Sequence, residues 1–145
     1  PTSQAGSQFD EFFTDDTVRN YVSATFGEVQ SCARGFAAGS EAGASVPGAT
    51  TCTYRNGIIV AFAKAGNQSQ MDVFRDTIAQ YLPAVQLTPK KGDWTGGHID
   101  EYTGTSANAL YWDERETTIY AFASVDPARM SIGQLRQWWS DRFGT

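Results

Sequence analysis

The hydrophobic pattern changes period several times along the chain. From Thr14 to Phe26 apolar residues recur at helical spacing, and Val18, Tyr21, Val22 and Phe26 fall on one face. Thr14 is placed to cap this helix, with Asp15 and Asp16 in a first turn whose dipole favours anions. Phe13 and Val18 are spaced as a hydrophobic staple, and Gly27 closes the far end. The period then falls to two. Thr50–Arg55 and Ile58–Lys64 are β-rich runs joined by Asn56-Gly57, the pair preferred in two-residue type I′ hairpins. That register sets Tyr54 opposite Ile59 and Cys52 opposite Ala61, with Ile58, Val60 and Phe62 on the other face. A second strand apolar on both faces implies a central position, covered by helix on at least one side.

Helical spacing returns at Ser69–Leu82, where Met71, Phe74, Ile78 and Leu82 form the apolar stripe and Pro83 ends it. The stretch Ala84–Thr95 is polar and predicts irregular structure, with a turn at Gly96-Gly97. Strands are predicted at His98–Thr103, Ala107–Trp112 and Thr117–Val125, the last two joined by a charged turn Asp113–Glu116. Ser131 and Gln134 make a capping box for a final helix whose inward face is Ile132, Leu135, Trp139 and Phe143. Together these elements predict an α+β fold: a mainly antiparallel sheet of about five strands with three packed helices. Residues 9–145 form the domain and the small, polar residues 1–8 read as a flexible linker. Ile59, Ala61, Phe62 and Ala63 recur as Ile119, Ala121, Phe122 and Ala123, each time followed by a turn and a capped helix, which suggests a strand–strand–helix repeat. The small residues on the Ile-Ala-Ala face would let a helix approach the sheet closely.

Composition narrows the function classes. The chain is 145 residues long, 41% hydrophobic, with a net charge of −5. Its cations are scattered, which argues against nucleic acid and anionic membrane partners, since both demand clustered positive charge. No apolar run is long enough to insert in a bilayer. Cys32 and Cys52 lack CxxC spacing and enclose a Gly/Ala/Ser-rich segment. A disulfide there would remove loop entropy, and that segment together with the polar leader favours an oxidising compartment over two buried thiols.

Candidate chemistry is sparse. His98 is the sole histidine and no nucleophile motif accompanies it. Asp100 and Glu101 are neighbours in a strand and point to opposite faces, so they cannot work as a carboxylate pair. Asp15 and Asp16 are explained by helix capping, and Asp113 and Glu114 by the turn. No metal cluster, phosphate loop or cofactor motif is expected. Four tryptophans are the informative surplus. Trp94, in KKGDWTGG, is either a lid on the core or a contact residue; Trp138 flanks the core stripe of the last helix, and Trp112 reads as core.

The order TVRNYV, CTYRNG, QMDVFRDTI, ALYWDERETTIYAFA, LRQWW resembles extracytoplasmic domains of actinobacteria that are tethered to eukaryotic-like Ser/Thr kinases or occur as anchored secreted proteins. Such proteins often carry a further cysteine pair in the later half, which this chain lacks around His98–Tyr102. The resemblance implies an extracytoplasmic location and a sensing or scaffolding role, and transfers no catalytic residue. The expected function is a non-enzymatic sensor or ligand-binding module for a cell-wall-derived or other extracellular ligand, its site near Trp94 and His98. The alternative is an interaction subunit of a surface assembly that meets a protein partner through exposed Tyr111 and Trp138.

Overall fold

In a computed structural model, which describes residues 9–35 and 49–144, an antiparallel sheet is sandwiched between helices on both faces. The helices are α1 (Asp16–Ser23), α2 (Gln68–Tyr81) and α3 (Ile132–Arg142). The strands are β1 (Val29–Arg34), β2 (Thr50–Tyr54), β3 (Ile59–Lys64), β4 (Thr88–Lys90), β5 (Asp93–Trp94), β6 (Gly97–Thr103), β7 (Asn108–Glu114) and β8 (Ile119–Val125). They are ordered β1-β2-β3-β8-β7-β6-β4, with β5 also on β6. The α+β class is as expected, but the sheet has eight strands among the described residues where about five were predicted. The expected linker at 1–8 and most of the Gly/Ala/Ser-rich segment, 36–48, lie outside the described residues.

The additional strands have two origins. β1 carries little hydrophobic signal, with only Val29 buried, and exists because it pairs with β2. β4 and β5 replace the irregular structure expected at 84–95. Both keep one register on β6, Lys90 opposite Glu101 and Asp93 opposite His98, so they are a single edge strand interrupted at Lys91-Gly92.

The β2–β3 hairpin corrects the predicted register by one residue. Cys52 faces Val60 and Thr51 faces Ala61. The loop has three residues rather than two: the Tyr54 carbonyl accepts from the Gly57 N–H at 2.9 Å, and the Tyr54 N–H donates to the Ile58 carbonyl at 2.8 Å. Gly57 alone takes a positive φ, 93°, as in a turn followed by a glycine bulge. Because side chains alternate, that slip of one moves Ile58, Val60 and Phe62 onto the same face as Cys52 and Tyr54. The later turn also shifts: it spans Arg115–Thr118, and Asp113 is a buried β7 residue, not a turn residue.

One face of the sheet, bearing Tyr54, Val60, Phe62 and Trp112, packs against Val18 and Val22 of α1 and Leu135, Trp138 and Trp139 of α3. The other, bearing Ala63, Tyr102, Ala109, Tyr111 and Tyr120, packs against Met71 and Ile78 of α2. The cap of α1 is Asp15, whose carboxylate accepts from the Val18 N–H at 3.1 Å, in place of Thr14. α1 stops at Ser23, and Phe26 belongs to a 3-10 turn, Phe26–Glu28, where its ring meets Phe13 at 5.8 Å. α2 is capped by Asn67 and α3 by the expected Ser131–Gln134 box.

β3 and β8 are neighbours, Val60 opposite Ala123 and Ala61 opposite Phe122. Their Ile-Ala-Ala residues therefore lie on opposite faces, and each set shares its face with the helix that follows it: α2 for β3, α3 for β8. No rotation within the sheet superposes two units whose helices sit on opposite sides. The echo thus reflects a common demand, small residues beneath a helix.

Cys32 and Cys52 face each other across β1 and β2 and are bonded, with S–S 2.05 Å, as expected. They are separated by 20 residues. Replacing both by alanine should cost about 3 kcal/mol, the closure entropy of a loop near this length. Denaturant titration of the variant checks this. An intact mass unchanged by alkylation without reductant checks the bond itself.

Candidate functional site

The two-residue turn between β5 and β6, Thr95-Gly96, stands at one edge of the sheet, and β7 holds it from beneath. Asp113 is the hub. Its carbonyl accepts from the Trp94 indole N–H at 2.9 Å, one carboxylate oxygen accepts from the His98 backbone N–H at 2.9 Å, and the other accepts from the Tyr111 hydroxyl at 2.8 Å. The Arg115 N–H adds a bond to the Gly96 carbonyl at 2.9 Å. A side chain at Gly97 would collide with the Asp113 carboxylate and carbonyl, so glycine is needed there for close approach rather than for an unusual φ. Burial, then the adjacent Asp113 carboxylate, pushes the Tyr111 phenol far above its ordinary range. A hydroxyl held neutral remains a donor to that carboxylate.

Asp100 and Glu101 point to opposite faces, as alternation requires. Asp100 is fully buried and bound by Arg75 of α2 through two contacts of 2.7 Å. Glu101 meets Arg136 of α3 at 2.6 Å. His98, on the α2 side, has Nδ1 2.8 Å from Asp93, and Nε2 lies 3.3 Å from an Arg115 nitrogen. Arginine can only donate, so Nε2 accepts and Nδ1 carries the proton toward Asp93. Arg115 also pairs with Asp72 at 3.0 Å, and that hydrogen bond is the main cause holding the Asp72 carboxyl below its usual range. Among the described residues, His98's side chain has no hydroxyl or thiol hydrogen-bond partner in the structure, and no three His, Cys, Asp or Glu side chains are grouped as metal ligands.

On the opposite side of the same edge lies an open groove of about 530 Å³. Trp94 and Thr95 form one wall, Glu101 the floor, and Gly133, Arg136, Gln137, Trp139 and Ser140 of α3 the other wall, with Gly144 at one end. The two indoles meet edge to face, centroids 5.3 Å apart at 89°. The Arg136 guanidinium lies 5.4 Å over the Trp139 ring. Trp94 is half-buried, so it is at once a lid on Trp139 and a groove wall.

Of the four residues expected to make contacts, Trp94 lines the groove and His98 sits behind it, across β6. Tyr111 and Trp138 are corrected: both are buried, Tyr111 beneath α2 and Trp138 against Tyr54 at 5.0 Å. Although the two tryptophans of α3 point about 100° apart, Trp138 also packs on Phe143, with centroids 5.9 Å apart, so the indoles of Trp138 and Trp139 both lie inside the core. Arg136, Glu101 and Trp139, which complete the groove, carried no site signal, since 35 residues separate the ion pair. Compared with known proteins, the chain matches no family model, no curated protein and no solved structure.

Proposed function

We propose that this is an extracytoplasmic, non-enzymatic ligand-binding or sensing domain whose ligand occupies the groove between the Trp94–Thr95 turn and α3. The observation that carries this reading is the groove itself: aromatic walls, a few convergent polar groups, and a volume within the ~300–1,000 Å³ of small-molecule sites. Its floor is built on a strand and its far wall on a helix, which are precise supports for a binding site. Asp100 and Glu101 are each committed to an arginine, an arrangement suited to holding shape rather than moving protons. The Cys32–Cys52 bond is compatible with an oxidising compartment, and no described helix is long and apolar enough to cross a membrane.

Thermal-shift titration of the non-reduced protein with cell-wall fragments and other extracellular extracts tests the reading. A saturable rise in Tm is expected, because a ligand that binds only the native state stabilises it. Trp94→Ala should abolish that rise and cost about 1–3 kcal/mol, since it removes a half-buried indole and its hydrogen bond to Asp113. A flat response across the extracts, or an unchanged rise in Trp94→Ala, would overturn the reading.

A further inference from the structure

We infer that the groove selects a neutral saccharide, a mono- or disaccharide unit in its open end, an inference that rests on reading the groove as a ligand site. Its charge balance leads there. Among the described residues, Arg136 and Glu101 are the only charged side chains lining it, and they neutralise one another at 2.6 Å. A ligand with net charge would meet no uncompensated countercharge there, so the cost of desolvating its own charge would go largely unrepaid. The pair nevertheless keeps capacity to bond. Arg136 uses one guanidinium nitrogen on Glu101, and Glu101 receives that bond on one of its two oxygens. Gln137 donates through its amide nitrogen to Asp141 at 2.7 Å, which leaves its amide oxygen facing no described donor. With the hydroxyls of Thr95 and Ser140, the groove therefore presents donors and acceptors interspersed. A sugar hydroxyl both gives and accepts, so it fits such a surface, whereas an acyl chain would leave those groups unpaired. The remaining wall is indole, an apolar body against which the C–H face of a pyranose packs.

The test follows the four tryptophan indole N–H signals by nitrogen-15 NMR. The neutral probes are N,N′-diacetylchitobiose, cellobiose and maltose; the charged controls are a glucuronic-acid disaccharide and a glutamyl dipeptide. At least one neutral sugar should shift the Trp94 signal saturably, with an affinity that hardly changes between low and high salt. Gln137→Ala, an exposed helix position, should weaken that sugar about tenfold, the worth of one well-made hydrogen bond, while Tm stays unchanged. A charged control that shifts Trp94 when every sugar is silent would overturn the saccharide class and leave the groove as a ligand site. Silence from every probe and from the cell-wall fragments would overturn both. Sugar binding unaffected by Gln137→Ala and Trp94→Ala would place the sugar elsewhere and also overturn the inference.

Discussion

Raised through alkaline pH, the protein should unfold in one cooperative step between about pH 10 and 12, with its tyrosines ionising together in that step. Five of the six tyrosines have phenols held above their ordinary value: Tyr21, Tyr54, Tyr102, Tyr111 and Tyr120. Burial is the first cause in every case, and for Tyr102 and Tyr120 it raises the pKa to about 12. The sign follows from proton counts. Below about pH 10 the phenols are protonated in both states and the stability is fully present. Above it the unfolded chain releases protons that the native state retains, so each buried tyrosine costs about 1.4 kcal/mol per further pH unit. Five acting together cost about 7 kcal/mol per unit, comparable to the whole stability of an ordinary domain. Absorbance near 295 nm and far-ultraviolet circular dichroism, recorded on one sample, should therefore change together. Tyr102 offers the sharpest variant, because its buried hydroxyl has no hydrogen-bond partner among the described residues. Tyr102→Phe should leave stability near neutral pH unchanged or higher and move the alkaline midpoint upward. Tyrosines titrating near pH 10 with the dichroism intact would refute this account of their burial.

Arg75→Met should be the most damaging single substitution on the α2 side of the sheet, costing about 3–5 kcal/mol and lowering Tm by on the order of 10 °C. Asp100 is fully buried, and its two oxygens are held by Arg75 and by the Gly92 N–H at 3.2 Å. Losing the guanidinium leaves a buried carboxylate with a backbone amide as its remaining partner. Adding Asp100→Asn should restore much of the loss, since a neutral amide is cheaper to bury than an unpaired charge. A double-mutant cycle on urea titrations measures the coupling; two independent, additive losses would show that the pair is not the cause. Because Gly92 interrupts the β4–β5 edge strand, the damage should also reach the turn that carries Trp94.

The reach of sequence reasoning differs between elements for physical reasons. Helices α2 and α3 were legible because their apolar stripes and the Ser131–Gln134 box lie within one or two turns of sequence. The opposed directions of Asp100 and Glu101 were legible because alternation in a strand is local. By contrast, β1 has an exposed, polar pattern and is a strand because β2 and the disulfide hold it there. The hairpin register turned on whether Asn56 joined Gly57 at positive φ, and β3, buried on both faces, gave no alternation by which the sequence could choose between the two registers. Asp113 read as a turn residue because it is charged and sits in a charged run. Its burial became affordable only through Tyr111, the His98 amide and the close approach that Gly97 permits.

The candidate site divides the same way. Trp94 stood out as an aromatic in a glycine-rich loop, and it does line the groove. Tyr111 and Trp138 stood out equally and are core, because exposure depends on which helix covers which strand. By itself the sequence determined the α+β class, the three helices with the Ser131–Gln134 cap, the cysteine bond and the scarcity of catalytic motifs, all set by spacing, composition or neighbouring residues. Only the tertiary structure decided the register, the edge strands, the burial of Asp113 and the meeting of Glu101 with Arg136 beside two indoles. Those depend on contacts between residues tens of positions apart, whose loop-closure cost is repaid only when the whole sheet has formed.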